Sequence, residues 1–355
     1  MKKIRGFLAL LAVLLPFAAA QTAAGYVYPG FAEIHETVAL PEGSWTWFPS
    51  EALASSLVNG TVRLLGVEEE RRVWRRGVVT FYYTGGGQAT LAYLTRNLTY
   101  GLYYDLDVDR GRLVGWAQLD NRLGRTLHLD RLTFVAGEVS LREGSVPVMA
   151  KSARSYEEMA VAAPAPQAPV FAGSGGGVFR YELAAPPPLE PGLNELPFAR
   201  ATVNPAYTWS YNGGFVRGDR VIFRRGYVFE APMALAGGVV NVREGGVLLG
   251  QAEMGERAMG DRVRLWLGRD PEGKARRQVE VLKDEREEKV YRVTTSVTNP
   301  RAQPVRVEFA ERFNAREIVL RLPAGAERTP QGYRLAFTLA PGEARSFVYT
   351  VTLRY

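Results

Sequence analysis

The chain has 355 residues, 46% of them hydrophobic, and no cysteine, which excludes disulfides, thiolate metal sites, thiol nucleophiles and a lipid-modified cysteine. Its formal charge of +7 includes Lys2, Lys3 and Arg5, and other basic runs sit beside acids, as Arg71-Arg72 and Arg75-Arg76 do after Glu68-Glu69-Glu70. A nucleic-acid partner, which calls for a one-sided basic surface, is disfavoured by that mixing.

Lys2, Lys3 and Arg5 form a positive start, residues 7–15 an apolar run, and Ala18-Ala19-Ala20 a small-residue end. This is the pattern of a secretory signal over residues 1–20, cleaved to leave Gln21 first. The apolar stretch is shorter than the roughly 20 residues that cross a bilayer core, which disfavours an uncleaved anchor, and no second long apolar run follows, so no membrane helix is expected after cleavage. The expected location is the periplasm or the cell surface. An exported chain without disulfides must be held by burial alone, and this one is long enough for two or three cores.

His35-Glu36 begins like a zinc-protease helix motif, but Ala39 stands where the second ligand must be, and a strand is expected there. Ser50 is a candidate cap for a short helix over residues 51–57, and residues 155–160 could add a turn or two. Residues 78–83 and 89–95 alternate around Gly85-Gly86-Gly87 and read as a hairpin. That triplet is no phosphate cradle, because neither a lysine nor a helix start follows it. Asp105, Asp107 and Asp109 have calcium-loop spacing, yet Arg110 takes the place of the turn glycine and Trp116 that of the closing glutamate. A strand with an acidic, solvated face ending in a turn at residues 109–112 is expected instead. His128, in the alternating Leu127-His128-Leu129-Asp130, reads as a solvent-facing or satisfied histidine.

Residues 150–177 shift to Ala, Pro, Ser and Gly, a composition that buries too little apolar surface to offset chain entropy, and read as a linker or long loop. Gly173-Ser174-Gly175 falls inside it and lacks the setting of a nucleophile elbow. Tyr207, Trp209 and Tyr211 alternate with Thr208 and Ser210, so a strand places three rings on one face. Those rings could stack on sugars, with Arg224 and Arg225 supplying hydrogen bonds to anionic groups; core packing is the commoner fate of such a stripe. Trp45 and Trp47 raise the same choice.

Period two is clearest at the end, where Phe347, Tyr349, Val351, Leu353 and Tyr355 share one side. It recurs at Val263-Leu265-Leu267, Tyr291-Val293 with Val297, Val305-Val307-Phe309 and Leu335-Phe337-Leu339. Turns at Asn299-Pro300, Pro323-Ala324-Gly325, Gln331-Gly332 and Pro341-Gly342 separate these runs. The expected fold is all-β, with several antiparallel sandwich-like regions, a C-terminal immunoglobulin-like sandwich and very little helix. The expected division is residues 21–149, the linker at 150–177, a central β-region at 178–285 and a C-terminal sandwich at 286–355. The charge run at 283–289 could equally be a hairpin tip within one domain.

Several segments together resemble the mucoidy-inhibitor-A-like bacterial family, whose shared region is a domain of unknown function. They are residues 90–100, 113–121 and 132–137, then 238–250, 265–270, 291–300 and 339–343. Tyr100 departs from the pattern, which has Trp there. The resemblance implies a β-rich exported protein and supplies no catalytic residues.

With only His35 and His128 as bases and no nucleophile motif, no catalytic residue, metal ligand or cofactor is assigned. The leading expectation is an exported envelope protein that binds or organises a surface component, either an envelope polysaccharide or a surface protein, without turning it over. The alternatives are an outer-membrane barrel, from the aromatic-ended last strand, and a polysaccharide hydrolase working with two carboxylates.

Overall fold

A computed structural model describes residues 23–139, 141, 170–175 and 177–355. The signal at 1–20, the helix expected at 155–160 and most of the linker lie outside the described residues.

In chain order the first elements are β1 (Ala23–Tyr28), β2 (Phe31–Leu40), β3 (Ser44–Trp47), α1 (Glu51–Ala54), β4 (Arg63–Leu65), β5 (Glu68–Arg75) and β6 (Val78–Thr84). Next come β7 (Gly87–Thr95), β8 (Leu98–Asp107), β9 (Arg112–Asn121), β10 (Arg131–Ala136), β11 (Val170–Gly175), β12 (Val178–Ala184) and β13 (Gly192–Thr202). Then follow β14 (Ala206–Gly214), β15 (Arg220–Glu230), β16 (Gly238–Glu244), β17 (Val247–Met254) and the long β18 (Arg262–Asp284). The chain closes with β19 (Glu288–Thr298), β20 (Val305–Arg312), β21 (Glu317–Arg321), β22 (Ala326–Thr329), β23 (Gly332–Leu339) and β24 (Ala344–Arg354). The protein is all-β and sandwich-like, as its alternating pattern requires.

Two sheets pack face to face in the first body: β11-β12-β10-β1-β2-β7-β4 against β13-β9-β8-β16-β17. Phe198 of β13 sits between them, 4.9 Å from the Tyr181 ring and 5.6 Å from Tyr104. Gly115 makes room for it, since a Cβ there would lie 2.8 Å from the Phe198 ring. Buried tyrosines between these sheets find acceptors, as a low-dielectric interior demands: Tyr104 donates to the Ala236 carbonyl and Tyr181 to that of Ala234. Tyr100 donates to the Val135 carbonyl at 2.8 Å.

The second body is one nine-stranded sheet, β21-β24-β19-β18-β15-β14-β20-β23-β22, curled so that its two halves face each other. Phe347 of β24 meets Phe309 of β20 at 5.3 Å, and Tyr349 meets Tyr333 of β23 at 5.0 Å. The alternation read from the last strand holds for Phe347, Tyr349, Val351 and Leu353, which are buried, but not for Tyr355, which lies past the end of β24 and is 55% exposed.

Three expectations change. Residues 78–83 and 89–95 do not form a hairpin: β6 pairs with β3 and β5 in a separate three-stranded sheet, while β7 joins β2 and β4. Gly85 to Gly87 carries the chain from one sheet to the other, with Gly86 packed so close to the Pro41 and Leu40 carbonyls that a side chain would not fit well. Second, the end of the expected linker is a strand, because β11, which contains Gly173-Ser174-Gly175, pairs antiparallel with β12. Third, residues 178–285 are not a unit. Their strands enter three different sheets, and β18 and β19 form one hairpin across 283–289, the second of the two readings given for that charge run.

The short helix does form behind Ser50, whose hydroxyl accepts the Leu53 N–H at 3.3 Å. It ends at Ala54, three residues earlier than expected.

Candidate functional site

The stripe Tyr207-Trp209-Tyr211 lies on the inner side of β14. Trp209 is fully buried and stacks on Phe223 at 5.7 Å, Tyr207 is 7% exposed, and Tyr211 is half-buried against Phe309. The polar atoms of the first two rings explain why they turn inward: Tyr207 and Trp209 both donate to Asp270, itself 1% exposed. Arg224 is exposed, and Arg225 donates to the Leu249 carbonyl at 3.2 Å, so the structure does not gather these five residues on an open face. Trp45 and Trp47 are half-buried, beside Phe81 and Tyr93. His35 lies on β2 and bonds Glu33 at 2.9 Å, and His128 is exposed. Asp105 accepts from Asn241, Asp107 pairs with Arg110, and Asp109 accepts the Gly245 N–H.

The outer side of the same sheet is different. Val263 and Leu265 of β18 point into the core, so Arg262, Arg264 and Trp266 point out; Val305, Val307 and Phe309 of β20 do the same for Arg306 and Glu308. Between them the floor is made of small residues. A Cβ on Gly226 would lie 2.6 Å from the Trp266 ring and 2.2 Å from the Leu265 carbonyl oxygen, so glycine lets the indole lie down on β15. Beyond β20, Arg334 of β23 and Glu327 of β22 complete a groove of about 680 Å³ that also takes in Ser210 and Asn212.

Glu308 is the hub. Arg262 bonds it, the Arg306 Nε lies 3.3 Å from Oε1, and the Arg264 Nε lies 3.7 Å from Oε2. Four arginines line the groove against two glutamates, so positive charge is in excess. Burial pushes the Arg262 guanidinium below its usual range; Glu308 counters this, and the nearby Arg306 and Arg264 cations reinforce it. Arginine stays protonated at neutral pH regardless. Arg262 and Arg306 also border a second hollow of about 1000 Å³ floored by Phe229, Pro232 and Val203, so the groove continues along the sheet.

Each guanidinium carries five N–H donors, and one carboxylate cannot saturate three of them. The spare donors form planar forks suited to carboxylate, phosphate or sulfate groups, beside an aromatic ring able to support a sugar face. None of these arginines stood out in sequence, since they are separated by up to 72 positions and are joined only by the pairing of β18, β15, β14, β20 and β23. The signal that could have found them is the polar half of the alternating runs whose apolar half marks the core.

No family model matches the chain, and a search of curated proteins finds no significant match.

Proposed function

We propose that this is an exported cell-envelope protein, akin to the mucoidy-inhibitor-A-like family, that binds an acidic polysaccharide in the arginine groove without turning it over. The observation that carries this reading is the convergence of Arg262, Arg264 and Arg306 on Glu308, with guanidinium donors left in excess on an open sheet face beside Trp266. The same face speaks against an outer-membrane barrel, because outward positions on β18 and β20 would have to be apolar to meet lipid and are instead charged.

Calorimetric titration of residues 21–355 with a polyuronate and with a neutral glucan of equal length tests the proposal. The polyuronate is expected to bind and the glucan not to. R262Q/R306Q should weaken binding about a hundredfold, since each charge-assisted hydrogen bond is worth roughly a factor of ten or more. Undiminished affinity in that variant, with its melting curve unchanged, would dispose of the groove as the site.

One observation favours a second reading. Asp109 and Glu244 both line a cleft of about 580 Å³ where the two bodies meet, together with Tyr207, Tyr227 and Arg306, and paired carboxylates in a cleft are what glycan hydrolysis needs. Against it, Asp109 is engaged in holding the Gly245 N–H of the β16–β17 turn. On the binding reading, incubation with polyuronate releases no reducing ends. Release that is abolished by D109N or E244Q would replace binding with hydrolysis.

A further inference from the structure

The three-stranded sheet β3-β6-β5 contains a hairpin whose tip carries exposed aromatic rings beside arginines. β5 and β6 pair up to Arg75 and Val78, so the loop is the two residues Arg76 and Gly77, both left-handed with φ of 50° and 79°. Such a turn is normally built from Asn or Gly, and arginine at the first position is uncommon there. Alongside it stand two exposed aromatic rings. Trp74, at the end of β5, is 46% exposed, and Phe48, one residue past β3, is 73% exposed. The β3–β6 register runs from Ser44 opposite Tyr82 to Trp47 opposite Val79, which brings Phe48 to the same end of the sheet as the turn.

The arginines of this strand divide into two kinds. Arg71 lies over the Tyr82 ring at 4.2 Å, and Arg72 is tied to Glu69 and to the Val62 carbonyl. The side chains of Arg75 and Arg76 have no hydrogen-bond or ion-pair partner among the described residues, and both are exposed. Glu68 and Glu70 are at the other end of β5, roughly 20 Å away at the rise of an extended strand. The tip therefore combines two free cations with two water-exposed aromatic rings, and a hollow of about 320 Å³, lined by Leu57, Val58, Asn59, Val62 and Gly77, adjoins Trp74.

We infer that this hairpin tip docks the protein on an anionic lipid surface, with Trp74 and Phe48 entering the headgroup region and Arg75 and Arg76 meeting lipid phosphates. Charge complementarity selects the lipid: the cations are unpaired in the free protein and match an anionic headgroup, while Trp is the side chain most at home at a membrane–water boundary. A tip of this size gives a reversible attachment and not an insertion. The inference does not depend on the polysaccharide reading, since the tip and the groove share no residue.

Co-sedimentation of residues 21–355 with vesicles tests it. The protein is expected to pellet with phosphatidylcholine–phosphatidylglycerol vesicles, to stay in solution with phosphatidylcholine alone, and to be released by high salt. R75E/R76E should lower the partition coefficient at least about 25-fold, about fivefold for each arginine cation lost and more for the charges reversed, and F48S/W74S should abolish pelleting. R75K/R76K, which keeps the charge, and R262Q/R306Q, which alters no residue of the tip, should pellet like the unmodified chain. Equal binding to both kinds of vesicle, no binding to either, or loss in R262Q/R306Q with retention in R75E/R76E would each overturn the inference.

Discussion

Replacing Arg277 by methionine is expected to destabilise the folded chain by about 3–5 kcal/mol, the cost of leaving a buried charge without its partner. Arg277 on β18 and Glu311 on β20 have fully buried side chains, 2.8 Å apart between Nη2 and Oε1. The pair ties the two halves of the curled sheet together: Tyr349 of β24 donates to Glu311 at 2.6 Å, Tyr333 of β23 approaches it at 3.4 Å, and Arg277 donates to the Val216 carbonyl at 3.1 Å. The alignment is imperfect, because the facing Nη2 and Oε1 atoms make no well-directed hydrogen bond and the Arg277 Nε has no partner. Such a pair gains less from its attraction than it loses in desolvation. The double variant R277M/E311L, which removes both charges and fills the space with apolar atoms, is therefore expected to recover most of the loss and could exceed the original stability. Urea midpoints for R277M, E311L and the double variant decide the matter. Additive losses in the double variant would mean that the two charges do not act as a pair.

What could be read in the chain beforehand follows from the range of the interaction involved. Alternation is local, so Val263 and Leu265 of β18, Val305, Val307 and Phe309 of β20, Leu335, Phe337 and Leu339 of β23, and Phe347, Tyr349, Val351 and Leu353 of β24 were legible as buried, while the buried charges Asp270, Arg277 and Glu311 were not. The Ser50 cap, whose partner is three positions away, was also legible. Partner choice is not local. Nothing within residues 78–95 says that β6 and β7 belong to different sheets, because that is decided by β3, 32 to 38 positions before its partners in β6, and by β2, 47 to 63 positions before its partners in β7. The glycines between them are as compatible with a crossing as with a turn. The central boundaries failed for a related reason: β12 completes a sheet begun by β1, and β16 runs parallel to β8, over 130 positions before it. The aromatic stripe was correctly placed on one face of a strand, but which face met solvent depended on Asp270, which sits where β18 bulges past β15 and offers a charged acceptor that Tyr207 and Trp209 share. The arginine groove was hidden by the same logic, its members being ordinary outward positions on strands whose neighbours are chosen at long range.

That aspartate is the source of the second large effect. D270A is expected to cost about 3–5 kcal/mol, because Asp270 is the shared acceptor of a buried set and its removal leaves several donors facing apolar surroundings. One carboxylate oxygen takes Tyr207, Trp209 at 2.8 Å and Arg301 at 3.1 Å; the other takes the backbone N–H groups of Glu272 at 2.8 Å and Gly273 at 2.9 Å. Gly273 is required here, since a Cβ would lie 2.9 Å from the Trp209 ring. Burial alone would push the Asp270 carboxyl up, but the hydrogen bonds from Tyr207, Trp209, Gly273 and Glu272 outweigh it and hold the group below the ordinary carboxylate range. A carboxyl that is more acidic in the folded state stabilises fully above its unfolded value of about 3.9, and that contribution is lost as pH falls through the folded value. Glu311 works in the opposite sense. Its burial, only partly offset by Arg277 and the tyrosines, pushes its carboxyl up, so its contribution is complete below the unfolded value and fades as pH rises. Of these two buried acids, Asp270 steepens the loss of stability on acidification and Glu311 does not. D270N, which keeps one acceptor oxygen and the side-chain shape, should therefore be less stable at neutral pH and show a flatter decline below pH of about 4. If urea midpoints across that range fall as steeply in D270N as in the unmodified chain, the acid sensitivity belongs to surface carboxylates and not to the Asp270 cluster.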